Sequence, residues 1–246
     1  MNYEKIDLSD REKLEYLLKG TILSMAVSYL FYNNLWLGIP VAIVYALSIR
    51  RYEEKLIRER KEVLLTQFKD LLYSVSSSVS VGRSLPQALT ESIDFWSGTY
   101  KESDYIISEL RYMTSRINEL NMDDVEVLQD FGERSGLDDI KNFALIYRNA
   151  KETGFNLVEA ITQATALIQD KINLEKELKT ALKEKEFESK VITYAPFVIM
   201  FFFRLTSKSY LKAFIGTPKG HIIATFALIL MLVAKVMSER LVKIEV

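Results

Sequence analysis

Two stretches repeat one pattern of residues that could bind phosphate. Residues 81–92 read VGRSLPQALTES and residues 153–164 read TGFNLVEAITQA, so Gly-x-(Ser/Asn)-Leu-x-x-Ala-(Leu/Ile)-Thr is written twice. A glycine beside a hydroxyl or amide could cradle an anion on backbone N–H groups. A phosphate loop, however, wants several glycines after a strand and a Lys-Ser/Thr pair, and neither copy has them. Helix punctuation fits better. Gly82 and Gly154 suit the left-handed position just past a helix end, where a side chain would cost about 1 kcal/mol or more. Ser84 and Asn156 then suit the N-cap of the next helix, and Gln87 and Glu159 stand three residues on, as two capping boxes require. Pro86 falls in the first helical turn, where no amide hydrogen bond is lost. Each copy is a stop-and-restart signal, and what repeats is a helical hairpin.

Other catalytic chemistry is poorly represented. The 246 residues include no Cys and a single His, which removes disulfides, thiolate ligands and most metal-site designs. His221 stands beside Lys219 at the start of an apolar run and reads as an interfacial side chain rather than a base or ligand. No acid is embedded in an apolar run, where a proton relay would be suspected, and no serine or threonine has a plausible partner base. The sequence therefore offers no catalytic, cofactor-binding or metal residues and does not read as an enzyme.

The apolar runs decide the class. Residues 21–49 carry no ionised side chain; as one helix they would be about 43 Å long, against about 30 Å of bilayer hydrocarbon. Asn33-Asn34 splits the run, so it reads as a hairpin of two short membrane helices. Small residues at Gly20, Ser24 and Ser28, and at Gly38, Ala42 and Ala46, would let the two backbones approach. A second pair of apolar runs, residues 191–203 and 222–234, can be lengthened by snorkelling of Lys190, Arg204 and Lys235. Between the pairs, apolar residues recur at three and four, as at Phe143, Ile146 and Tyr147 and at Leu157, Ala160, Ile161, Ala164 and Leu167, which predicts a helical bundle. The run SVSSSVSV (74–81) alternates like a strand, but Leu71, Leu72, Val75 and Val79 share one helical face, and the helix is preferred. The predicted fold is all-α: two transmembrane helical hairpins flanking a cytoplasmic helical bundle. Its parts are a cytoplasmic N-terminal segment (1–20), a transmembrane hairpin (21–49), the helical domain (50–190), a second transmembrane hairpin (191–237) and a cytoplasmic tail (238–246).

Lys and Arg crowd both ends of the first hairpin and avoid its tip, which predicts that both ends face the cytoplasm. The second hairpin conflicts with that rule, because its connecting segment carries Arg204, Lys208, Lys212 and Lys219 without an acid. Within the middle domain, residues 119–139 hold eight acids and only Arg134 among cations. Asp123, Asp124, Glu126 and Asp130 are therefore candidate partner-binding residues, with a solvated acidic face as the alternative. The basic stretch 50–61 similarly either meets anionic membrane lipid or simply obeys the charge rule.

The order of a short membrane hairpin, a helical domain with two Gly-x-(Ser/Asn)-Leu-x-x-Ala turns, the segment LDDIKNFALIYRNAKETGFNLVEAI, a long charged helix running into APFVIMFFF, then GTPKG and a last span, resembles the type II secretion F-domain family. Length and a single domain are similar to its Tad/Flp pilus assembly platform branch; Ser209 stands where that branch often has a proline before tyrosine. The resemblance implies a non-enzymatic, oligomeric, multi-pass platform in the inner (cytoplasmic) membrane. It implies contacts with a hexameric secretion ATPase, a second F-domain membrane protein, pilin subunits and lipid, and none with nucleic acid. The alternative is a small multi-span transporter or channel subunit with a regulatory helical domain.

Overall fold

The computed structural model describes residues 3–4, 8–154, 156–207 and 217–244, with the side chains of 186, 235 and 238–244 outside that description. All regular structure among the described residues is helical: α1 Asp10–Tyr32, α2 Gly38–Leu47, α3 Ile49–Ser80, α4 Leu85–Trp96, α5 Tyr105–Asn118, α6 Asp124–Ser135, α7 Asp138–Thr153, α8 Leu157–Thr206 and α9 Pro218–Ile244. The chain divides into two compact units, one of residues 1–7 and 53–175, the other of residues 8–52 and 176–246.

The first unit is a bundle whose core runs from α3 to α8. Leu64, Phe68, Leu71, Leu72, Val75 and Val79 form one buried stripe on α3, the three-and-four spacing of a helix facing a core. Phe68 is its centre, with ring edges of Phe131 and Phe143 at 6.1 and 5.8 Å between centroids. The serine-rich end of α3 stays helical because Val75 and Val79 continue its buried stripe, while its hydroxyls find acceptors along the helix, Ser74 to Leu71 O at 2.9 Å and Ser80 to Ser76 O at 2.7 Å. Two residues expected in the core are not there: Ile146 and Leu167 are exposed. The buried stripes run instead through Ile140, Phe143, Ala144 and Tyr147 on α7 and through Ile161, Ala164, Ile168 and Ile172 on α8.

In the second unit, α1 and α2 form an antiparallel hairpin. A Cβ on Gly20 would run into the Tyr45 ring, and one on Gly38 would lie 3.0 Å from Met25 Cα and Ser24 O. The small-residue stripe thus lets the helices touch. Asn33 ends α1 in the left-handed conformation, φ 52°. Ser28 Oγ donates to Asn34 O at 2.7 Å and Trp36 N–H to Asn34 Oδ1 at 3.0 Å, which closes the tip.

Among the described residues one helix, α8, is long and apolar enough to cross a membrane, and no residue of the apolar window that qualifies is buried. The helix α2 and the stretch Pro218–Ala234 of α9 are shorter apolar helices. Of the expected all-α fold with two transmembrane hairpins, the helical class and one candidate span are present; α1 opens on Asp10, Arg11, Glu12 and Lys13 and α2 has only 10 residues, about 15 Å or half the hydrocarbon thickness.

Candidate docking surface and polar clusters

The repeated turns have closely similar geometry. Gly82 (φ +92°) and Gly154 (φ +68°) both lie in the left-handed region, and neither would bring an added Cβ within 4 Å of another atom. Ser84 caps α4, and its N–H donates to Gln87 Oε1 at 3.2 Å. In the second copy the bond runs from Glu159 N–H to Asn156 Oδ1 at 3.4 Å, while the Glu159 carboxylate accepts from Gln163 Nε2 at 3.2 Å. Each motif redirects the chain within the first unit and none forms an anion cradle.

The acidic stretch is organised quite differently from its appearance in sequence. Asp123 is the N-cap of α6 and accepts from Val125 N–H at 3.1 Å. It also shares the Lys151 ammonium with Asp124, at 2.8 and 2.5 Å, and Asp124 accepts the Tyr147 hydroxyl at 2.8 Å. Hydrogen bonds from Lys151 chiefly hold the Asp123 carboxyl down, to about 2. Burial pushes the Lys151 ammonium down, and the two carboxylates more than reverse it. Burial and then Asp124 raise the Tyr147 phenol well above its ordinary value. Asp130 accepts from Arg134 Nε at 2.8 Å and lies 3.6 Å from Arg116. Even Asp139, buried, takes Lys171 at 2.8 Å. Three of the four candidate docking acids, Asp123, Asp124 and Asp130, are thus committed to cations of the domain itself, and the exposed Glu126 stands outside this lattice. Glu119, Glu133 and Asp138 are the other exposed acids of this stretch outside it.

Next to Asp130 lies a cluster that sequence reasoning missed. Glu109, 2% exposed, is gripped by both terminal nitrogens of Arg134 at 2.9 and 2.8 Å. Tyr3 donates its hydroxyl to the same carboxylate at 3.0 Å, and the guanidinium stacks 4.6 Å from the Tyr112 ring centroid. Burial opposes the Arg134 charge, yet its carboxylate partners raise its affinity for the proton. A signal existed: Glu109 falls on the face of α5 shared with Ile106, Leu110 and Met113, where an isolated acid has no reason to be.

The second unit has its own polar layer. Arg204, in the last turn of α8, donates to Tyr29 O at 2.6 Å and Leu30 O at 3.0 Å, bonds Asn33 Oδ1, and lies over the Tyr29 ring. Beside it Tyr32 shares a hydrogen bond with Thr225 at 2.8 Å and meets the His221 ring edge at 5.7 Å. The ends of α1 and α8 and the start of α9 therefore gather at one level. A second aromatic cluster lies further down α1, where Tyr16 stacks on Tyr45 and Tyr52 at 4.7 and 4.5 Å. Lys208, Ser209 and Lys212 lie outside the described residues, as does the side chain of Lys235.

Among the described residues no group of three or more His, Asp or Glu is placed to hold a metal ion. Comparison with family models, with curated proteins and with solved structures finds no match for this chain.

Proposed function

We propose that the chain is a multi-pass protein of the inner (cytoplasmic) membrane, crossing it as two helical hairpins with its middle domain in the cytoplasm. It serves as the assembly platform of a type IV/Tad-like pilus or type II secretion machine, coupling a cytoplasmic secretion ATPase to the extraction and assembly of pilins. One observation carries the membrane part. The second unit is assembled from both ends of the chain and has two polar-aromatic girdles on α1, at Tyr16 and at Tyr32-Asn33. They stand about 24 Å apart at 1.5 Å per residue, and α8 from Lys190 to Arg204 covers about 21 Å before snorkelling extends it. Between the girdles the side chains of Ile22, Leu23, Val41, Ile43, Phe202 and Ile229 are exposed. Lipid is the environment that covers such a surface, and Tyr and Trp favour its two interfaces. Fixing α1, α8 and α9 at one level by Arg204, Asn33 and Thr225 supports their crossing together. Joining α2 to the first turn of α3 makes up the length that α2 lacks.

The platform role rests on the resemblance of the two-turn helical domain and its flanking spans to the F-domain family. The solvent-facing acids Glu119, Glu126, Glu133 and Asp138 are the surface offered to a basic face of the ATPase, where charge sets encounter rate and orientation. Copurification under mild detergent tests the role, because a platform brings down an ATPase and a second F-domain protein, whereas a transporter brings down neither. Reversing these four acids to Lys should abolish ATPase recovery, while reversing Glu175, Glu177, Glu184 and Glu186 on α8 should not. Equal loss in both variants would remove the docking assignment.

A further inference from the structure

Tyr3 belongs to no helix, yet its side chain is 0% exposed. It enters a hollow among α3, α5 and α6 of the first unit, and every part of it is recognised. Its ring meets the edge of Tyr105 at 5.6 Å between centroids. Its hydroxyl donates to Glu109 Oε1 at 3.0 Å, and its backbone N–H donates to Arg134 O at 3.0 Å. The next residue, Glu4, lies 3.6 Å from Lys61 Nζ, which also donates to Gly136 O at 3.0 Å.

The walls of this hollow are held by contacts among themselves. Arg134 is fixed by two bonds to Glu109, one to Asp130 and the face of Tyr112. Lys61 is fixed on the Gly136 carbonyl at the left-handed end of α6. Withdrawing Tyr3 would therefore leave a shaped aromatic cleft with a buried carboxylate at its floor and a lysine at its rim. Such a preorganised site spends little ordering entropy on its ligand. Its occupant is one residue outside any helix, held by its ring, its hydroxyl and its backbone N–H, with the Glu4–Lys61 ion pair beside it.

We propose that this hollow is a binding site for a peptide carrying a tyrosine followed by an acidic residue, filled in cis by Tyr3-Glu4 and open to exchange with a segment of the same chemistry. The phenol specifies tyrosine, because a phenylalanine would remove one of the donors to the desolvated Glu109 Oε1. The rim lysine specifies the following acid. This site is distinct from the exposed acids assigned above to the ATPase and stands whether or not that reading does.

The test uses the full chain in detergent and a fluorescein-labelled peptide of residues 1–7, MNYEKID, read by anisotropy. Tyr3→Ala vacates the site, and it should bind the peptide saturably and at least tenfold more tightly than the unaltered chain does. Replacing the peptide's tyrosine by phenylalanine should weaken binding about tenfold or more, since a hydrogen bond to a charged acceptor is lost. Should Tyr3→Ala fail to fold, the double variant Tyr3→Phe/Glu4→Gln keeps the ring in place, weakens the internal ligand, and should still bind the peptide better than the unaltered chain. A folded variant without saturable binding overturns the proposal. So does equal binding by a peptide whose tyrosine is alanine, or equal affinity of the variants and the unaltered chain.

Discussion

Replacing Arg134 by methionine tests whether the first unit depends on its buried ion pair. The substitution keeps the apolar stem against Tyr112 and removes the guanidinium. Glu109, 2% exposed, then retains the Tyr3 hydroxyl at 3.0 Å but loses both bonds that neutralise it. Breaking a buried pair by removing one partner costs about 3–5 kcal/mol, against about 5–15 kcal/mol for the total stability of an ordinary domain. The assay is urea unfolding in detergent followed by tryptophan fluorescence. The chain has two tryptophans; Trp36→Phe leaves Trp96, whose Nε1 donates to Ser74 Oγ at 3.1 Å within the first unit. Adding Glu109→Met should recover about 2 kcal/mol or more, because an apolar pair lacks the desolvation cost. A deficit below about 1 kcal/mol, or no recovery on adding Glu109→Met, would refute this account of the cluster.

With the same reporter, Gly82→Val and Gly154→Val should each cost more than about 1 kcal/mol, purely through the positive φ since no neighbour obstructs a Cβ; unchanged midpoints would contradict it. Asp123 is held at about 2 when folded, below the ordinary carboxyl value of about 3.9, so its contribution is present above pH 4 and fades between pH 4 and 2. Asp123→Asn should accordingly be less stable than the parent at pH 7 and equal to it at pH 2, with a gap that persists at pH 2 counting against the Lys151 assignment. For topology, single cysteines at Leu35 and Glu152, both exposed, should react with an impermeant maleimide on intact cells only at position 35. Reaction at 152 would exclude a cytoplasmic middle domain.

What can be read in the sequence is what is local. The helical class follows from apolar residues spaced three and four apart, and the ends of α3 and α7 follow from glycines at a positive φ that other side chains rarely adopt. Core membership is legible only to within a face, since Ile146 neighbours the buried Tyr147 yet points about 100° away on the helix and is exposed. Charge pairing was not legible at all. Counting cations inside residues 119–139 finds only Arg134, but folding supplies Lys151 from α7 to Asp123 and Asp124, Arg116 from α5 to Asp130 and Lys171 from α8 to Asp139. These partners lie outside the counted stretch, so an apparent acidic patch became three internal attachments. The surface left for a partner is the remainder, and it could be identified only after those attachments were known.

The same logic bears on the basic connection between α8 and α9, which disagrees with the charge rule for a segment on the outer side. That rule weighs cations by the cost of carrying them across, and the cost depends on what the folded helices offer them. Arg204 faces the C-terminal end of α1, where the helix dipole places roughly half a negative charge. It spends its donors on Tyr29 O, Leu30 O and the Asn33 amide, and stacks its plane on Tyr29. A guanidinium so placed completes a helix cap and contributes a cation–π contact besides. It belongs to the hairpin tip rather than to the loop, and need not return to the cytoplasmic face to be satisfied. Under the proposed four crossings, with the Arg204 layer at the outer interface, the conflict narrows to Lys208, Lys212 and Lys219.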